Sequence, residues 1–362
     1  MSKKIYSVIK GSGHFLPKNI IKNSDFLDSQ FYNPDGSKIE TPNEEIIEKF
    51  LEITEIEERR YLDDDMQTSD MAYFAAKDAL DSSKIDPETL DYIIVAHNFG
   101  DVKKDSYRTD MMPTLAARVK QKLKIKNSDC IAYDIPFGCP GWIQGMIMAD
   151  YYIKSGDAKR ILVIGADALS RMVDPHGRDS MIFADGAGAT ILEAVESEEP
   201  VGIIAHKTIS DTLVEADYLV NQPSFNKDFD QNNILIKMNG RRIYEYAVVK
   251  VPQIMKTALD KVNLTAEDVK MVLIHQANAK MDYAMGKRFM KLYGINKMPE
   301  KLMPMTLAKF GNSSVATIPT MYDLIINGKK EGYSIDKGDV LVFPSVGAGL
   351  NANVLVYKVP AE

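Results

Sequence analysis

The 362 residues predict an α/β protein built from two similar halves. Two observations carry this. Short buried runs alternate with amphipathic stretches along the chain, as strands alternate with helices around a sheet. Two pairs of segments also echo each other at a common offset of about 180 residues, half the chain.

The elements follow in order. YIIVA (92–96), CIAYDI (130–135) and RILVIGA (160–166) are apolar enough for buried strands, as are MVLIH (271–275) and VLVFPSV (340–346). Between them, MAYFAAKDALDSS (71–83) and VVKVPQIMKTALDKV (248–262) have helical periodicity. Such alternation predicts a mostly parallel sheet. In the echo, IDPETLDYIIVAHN (85–98) repeats as LTAEDVKMVLIHQAN (264–278), and GDAKRILVIGADA (156–168) as IDKGDVLVFPSVGAG (335–349). The halves expected from it are 1–195 and 196–362. The polar segments 28–45 and 221–233 are expected as surface excursions.

Composition excludes several classes. A formal charge of −7 disfavours a nucleic-acid binder. No apolar run approaches the roughly 18 residues of a membrane span. The start MSKKIYSVIKGSG lacks a signal peptide's apolar core. Two cysteines make no disulfide framework and suit a reducing cytoplasm. The five histidines have no zinc spacing, so no metal is expected.

Four places can do chemistry. In DIPFGCPGW (134–142), Cys139 sits on a sharp turn before a helix, where the macrodipole lowers a thiol pKa and favours the nucleophilic thiolate. Packing is the competing role for such a cysteine. His275 ends an apolar strand, at the edge where α/β sheets bind ligands. Asn312, after Gly311, or Ser313 can cap the next helix. SVGAGLNANV (345–354) is a Gly-rich turn between two strands, able to bring N–H groups close to a ligand.

The order of these motifs resembles the β-ketoacyl-ACP synthase III family of the thiolase superfamily, nearly end to end. GSGHFLP (11–17), EERRY (57–61), FADGAGATIL (183–192) and IKMNGRRIYEYAV (236–248) are similar to further family segments. The resemblance implies a thiolase fold, layered α-β-α-β-α, and a Cys139-His275-Asn312 triad. Cys139 would accept an acyl group from acyl-CoA or acyl-ACP. His275 and Asn312 would hold the carbonyl of malonyl-ACP during decarboxylative Claisen condensation. An amide of the Gly347-Ala348-Gly349 turn would join the Cys139 N–H around the acyl oxyanion. Lys280, Lys287 and Arg288 would dock acyl carrier protein, and the enzyme would be a homodimer without a cofactor.

The chain also departs from the family. Lys49 and Ile53 stand where a Trp and an Arg grip CoA, while Arg178 would retain another adenine contact. Met112, before Pro113, replaces a gating Phe lent by the dimer partner, which suggests acyl groups other than acetyl. A specialised relative is therefore expected, making a secondary metabolite or an alkylresorcinol-type lipid. The same triad would also serve condensation or cyclisation of two β-ketoacyl chains, or acyl transfer to an alcohol or amine. A non-catalytic partner subunit would lose the cysteine.

Overall fold

The computed structural model describes residues 3–361. A five-stranded sheet has the order Lys4–Phe15, Asp185–Ser197, Arg160–Ala168, Tyr92–His97, Ile131–Pro136. A four-stranded sheet has the order Gly202–Ser210, Asn351–Lys358, Val340–Gly347, Val269–Val272. The two match strand for strand from their antiparallel edge. The echoed segments occupy matching places: Tyr92–His97 and Val269–Val272 each run parallel to their neighbour, Arg160–Ala168 or Val340–Gly347.

The expectation of a mostly parallel sheet is corrected. Two of four pairings in the first sheet and two of three in the second are antiparallel. The reason lies in the connections. Parallel neighbours need a long crossover, whereas Val340–Gly347 returns as Asn351–Lys358 through one short turn. The expected run 271–275 is a strand only to Val272, but its backbone stays extended: Leu273 and His275 N–H groups donate to Val342 and Pro344 carbonyls at 2.9 and 3.0 Å.

Side-chain alternation makes five layers. Ile94, Val163, Leu273, Phe343 and Leu355 face a middle layer holding helices Gly141–Ser155 and Thr317–Ile326. Ile93, Val95, Leu162 and Ile164 face helices Thr68–Ser83 and Leu115–Lys122. On the second sheet, Val272, Val342 and Val354 face helices Gly240–Asp260 and Ala279–Lys291. Trp142, buried in the middle layer edge-on to Phe343, ties the Cys139 helix to the second sheet. Truncating such a side chain costs about 3–5 kcal/mol. Segment 28–45 is mostly exposed, but Phe31 is buried and anchors it to Ile46 and Met181. No helix among the described residues is long and apolar enough to cross a membrane.

Candidate active site

Cys139 lies between strand Ile131–Pro136 and helix Gly141–Ser155. Gly138 turns the chain with φ of 68°, and its carbonyl accepts the Gly141 N–H at 2.9 Å. The C-terminal Gly-rich turn packs directly on this bend. A Cβ on Gly347 would lie 2.6 Å from the Cys139 nitrogen, so only glycine allows that approach. Ala348 follows and borders the same cavity as Cys139.

That cavity holds about 290 Å³. Phe99, Leu169, Phe183, Leu219, Val220 and Ile236 give it apolar walls, and Asn98, Asn221 and Ser314 give it polar points. Leu219–Gln222 and Leu235–Met238 form a small hairpin that carries the 221–233 excursion. The base of that excursion is thus a cavity wall, through Asn221.

His275 and Asn312 reach the site through Ser314. Asn312 is bridged to Phe183, which holds its backbone, and its Oδ1 accepts the Ser314 N–H at 2.8 Å. Its Nδ2 hydrogens take no part in that bond. Neither Asn312 nor Ser313 caps helix Thr317–Ile326, contrary to expectation; a 3-10 turn, Ser314–Ala316, intervenes. The His275 ring meets the Ser314 backbone, and its Nδ1 is buried without a partner. A neutral imidazole carries one N–H and one lone pair on its two nitrogens. Burial lowers the His275 pKa to about 4, so the ring is neutral at neutral pH.

The expected low pKa of Cys139 is overturned. Burial pushes the thiol up to about 12; the neighbouring Ser314 hydroxyl opposes the rise, and the nearby Asp167 carboxylate adds to it. The helix dipole does not offset this. Pro140, without an N–H, stands between the thiol and the first turn, and the Gly141 N–H is already spent on Gly138. Cys139 thus rests as a protonated thiol. Both cysteines are free.

Lys280, Lys287 and Arg288 are exposed on helix Ala279–Lys291, which starts just after His275 and is capped by Asn278. Lys280 pairs with Glu52 at 3.0 Å. Met112 is 88% exposed, and Arg178 is exposed; neither borders the cavity of its own chain. Lys49 and Ile53 lie on helix Asn43–Thr54, with Lys49 exposed.

Three residues at the site escaped the sequence reading: Ser314, Asn98 and Asp167. Each directly follows or ends a motif that was noticed, in GNSS, VAHN and IGAD, but only folding brings them together. Folding also gathers His14, Asp78 and Asp323, whose spacing suggests no metal site. Each is engaged locally: His14 Nδ1 meets Asp323 at 2.6 Å, and Asp78 accepts the His14 N–H at 3.1 Å. They brace the first strand.

The sequence profile of 3-oxoacyl-[acyl-carrier-protein] synthase III matches residues 133–212, and that of its C-terminal part matches residues 259–359. A β-ketoacyl-[acyl-carrier-protein] synthase III of Staphylococcus epidermidis is 34% identical over 354 residues, 97% of this chain and 98% of the relative. One from Erythrobacter litoralis is 30% identical over 348 residues, 95% and 97% of the two chains. Among solved structures, the 3-oxoacyl-[acyl-carrier-protein] synthase III of Aquifex aeolicus superposes with a TM-score of 0.77 at 30% identity, covering 97% of this chain and 99% of the other. A thiol, a histidine and an asparagine gathered around Ser314 are thus carried by a chain that belongs to the β-ketoacyl-ACP synthase III family of condensing acyltransferases.

Proposed function

We propose that Cys139 takes an acyl group from a thioester and that His275 and Asn312 then drive its condensation with malonyl-ACP. The observation that carries this reading is the meeting of all three residues on Ser314, which lines one cavity with Cys139 while His275 and Asn312 lie behind it. In the first step the Cys139 sulfur attacks the thioester carbonyl, the donor thiol leaves, and the Cys139 proton ends on that thiol. The Cys139 and Ala348 N–H groups meet the transient oxyanion; the close packing of Gly347 on Cys139 supports Ala348 in this role. In the second step the His275 Nε2–H and an Asn312 Nδ2–H hold the malonyl thioester oxygen. CO₂ leaves, the resulting enolate carbon attacks the acyl-cysteine, and the Cys139 thiolate is released. Neutral His275 suits this work, because a donor to a developing enolate must keep its proton.

The primer is longer than acetyl in this reading. About 290 Å³ of apolar-walled space exceeds what two carbons fill, given about 30 Å³ for one water. Lys280, Lys287 and Arg288 dock the acidic carrier protein, and Arg178 rather than Lys49 or Ile53 contacts a CoA donor. A homodimer lends Met112 to its partner's cavity; exposed Met111 and Met112 suit such a contact. The halves are 1–195, with Cys139, and 196–362, with His275 and Asn312. Two free thiols suit the cytoplasm.

Intact mass tests the reading. The protein is incubated with acetyl-, octanoyl- and β-ketoacyl thioesters of CoA and ACP, with Cys139→Ala as control, and malonyl-ACP is then added. The expected result is an octanoyl mass on wild type only, removed by malonyl-ACP as a β-ketoacyl-ACP mass appears. No label from any thioester contradicts the role of Cys139. Label that malonyl-ACP never discharges favours cyclisation or transfer to another acceptor.

A further inference from the structure

The triad leaves three polar residues beside Cys139 unused, and they form one chain of hydrogen bonds. Asp167 is the penultimate residue of strand Arg160–Ala168 and is buried. Its Oδ1 accepts the Asn98 backbone N–H at 2.8 Å, and its Oδ2 accepts an Asn98 Nδ2 hydrogen at 2.6 Å. Two bonds to one carboxylate fix both the backbone and the amide plane of Asn98. The second Nδ2 hydrogen goes to Ser314 Oγ at 3.0 Å. Ser314 Oγ therefore accepts from Asn98, and its own hydrogen must point elsewhere. Ser314 lines the same cavity as Cys139, and Asp167 is tied to the Asn98 amide that donates to Ser314, so the sulfur and the carboxylate are the acceptors beside the hydroxyl.

The backbone holds this hydroxyl in place as firmly as the side chains do. Ser314 has φ of 52°, a region that non-glycine residues seldom occupy and that clusters at functional sites. Asn312 Oδ1 fixes its N–H at 2.8 Å. The strain sets one hydroxyl between the nucleophile and a buried anion.

We infer that Ser314 is a further catalytic residue whose hydroxyl donates to the Cys139 sulfur when that sulfur becomes anionic, with Asn98 and Asp167 as the positioning residues that aim it. While Cys139 is a thiol or an acyl-cysteine, the hydroxyl hydrogen rests on Asp167. As negative charge forms on sulfur, during attack and again when the thiolate is released, the hydrogen swings to it. Asp167 thus has two opposed effects. It locks Asn98, and it competes with sulfur for the hydroxyl while repelling the thiolate. This inference rests on Cys139 being the acyl-accepting thiol, but its test uses no acyl group, so the two can fail separately.

The test is the pH profile of Cys139 alkylation by iodoacetamide, read by intact mass in a Cys130→Ala background. Ser314→Ala should move the inflection up by about one unit, slowing alkylation about tenfold at a fixed pH below it. Asn98→Ala should move it the same way by less, since the hydroxyl survives without direction. Asp167→Asn should move it down and speed alkylation. Opposite signs from neighbouring buried residues are what general loosening of the site would not produce. An unchanged profile in Ser314→Ala overturns the inference, as does Asp167→Asn slowing alkylation. If Asp167→Asn does not fold, the Ser314→Ala and Asn98→Ala profiles decide it: both shifted upward supports the inference, and either one unshifted overturns it.

Discussion

His97 ends its strand and His275 lies in the extended backbone three residues beyond the matching strand; both are buried, yet they have opposite surroundings. His97 is fully engaged. Its Nδ1 accepts the Gly100 N–H at 3.0 Å, and its Nε2 meets Asp134 at 3.1 Å. Asp134 in turn accepts two amides at the start of helix Leu115–Lys122, at 2.7 and 2.8 Å. His275 has an orphan Nδ1 and only the Ser314 backbone beside its ring. Strand parity separates them. Ile94 and Leu273 face the middle layer, while Ile93, Val95, Val272 and Ile274 face outward. Continued alternation gives His275 the inner parity, shared by Ala96, and gives His97 the outer parity, shared by Gln276. Gln276 is tied down as His97 is, by Pro304, Thr306 and Leu307. One residue of offset thus divides a fully bonded histidine from one with an unpartnered nitrogen. The His97 ring, with both nitrogens bonded, braces the fold; the His275 ring keeps Nδ1 unbonded inside the protein.

The sharpest way to break this contrast is to remove each ring. His275→Ala should lower β-ketoacyl-ACP formation by about 10²–10³ with a nearly unchanged melting temperature, as loss of an oxyanion donor does. His97→Ala should reverse the pattern. It should cost about 1–3 kcal/mol of stability by orphaning Gly100 N–H and Asp134, while the folded protein keeps activity within about threefold of wild type. Equal activity losses in both variants would erase the distinction. Next in size, Asn312→Ala should lower condensation about a hundredfold and leave Cys139 acylation within about threefold of wild type. Comparable loss in both half-reactions would remove Asn312 from the second step.

A pH prediction sharpens the same contrast. The folded pKa of His275 is depressed to about 4, below the unfolded value of about 6.5. Between these values the unfolded chain binds a proton that the folded one does not. Stability from this site is therefore complete above about pH 6.5 and falls with pH, by up to about 3 kcal/mol near pH 4. Denaturant midpoints across that window should slope less in His275→Gln than in wild type; parallel slopes would contradict the buried neutral ring. The smallest effect concerns the exposed face beyond His275. Reversing Lys287 and Arg288 to Glu should raise the KM for malonyl-ACP several-fold at low salt, with kcat unchanged and the difference shrinking as salt rises. A salt-independent KM would remove this face from docking.

The layered fold and the three residues that meet at Ser314 were legible because they rest on local patterns. Buried runs mark strands, and GCPGW, HQAN and GNSS sit at strand or turn ends that reach one edge. Sheet polarity was not legible, since a short return such as 348–350 and a long crossover both separate similar apolar runs. The Cys139 environment was misjudged because a helix start is visible in sequence, while Pro140 spacing the thiol from it and the burial around it are tertiary facts. Ser314, Asn98 and Asp167 belong to three separate segments, and no periodicity links them. The repeat itself misleads by eye, because aligning the two histidines pairs residues of opposite parity.

The most direct measurement separates the two half-reactions. His275→Ala is charged with the acyl thioester that labels wild type, freed of donor, and mixed with malonyl-ACP while intact mass follows acyl-Cys139. The expected result is acylation to wild-type extent, then discharge slowed at least about a hundredfold. Discharge at the wild-type rate, or failure to acylate in a folded variant, would contradict the assignment of His275 to the condensing step.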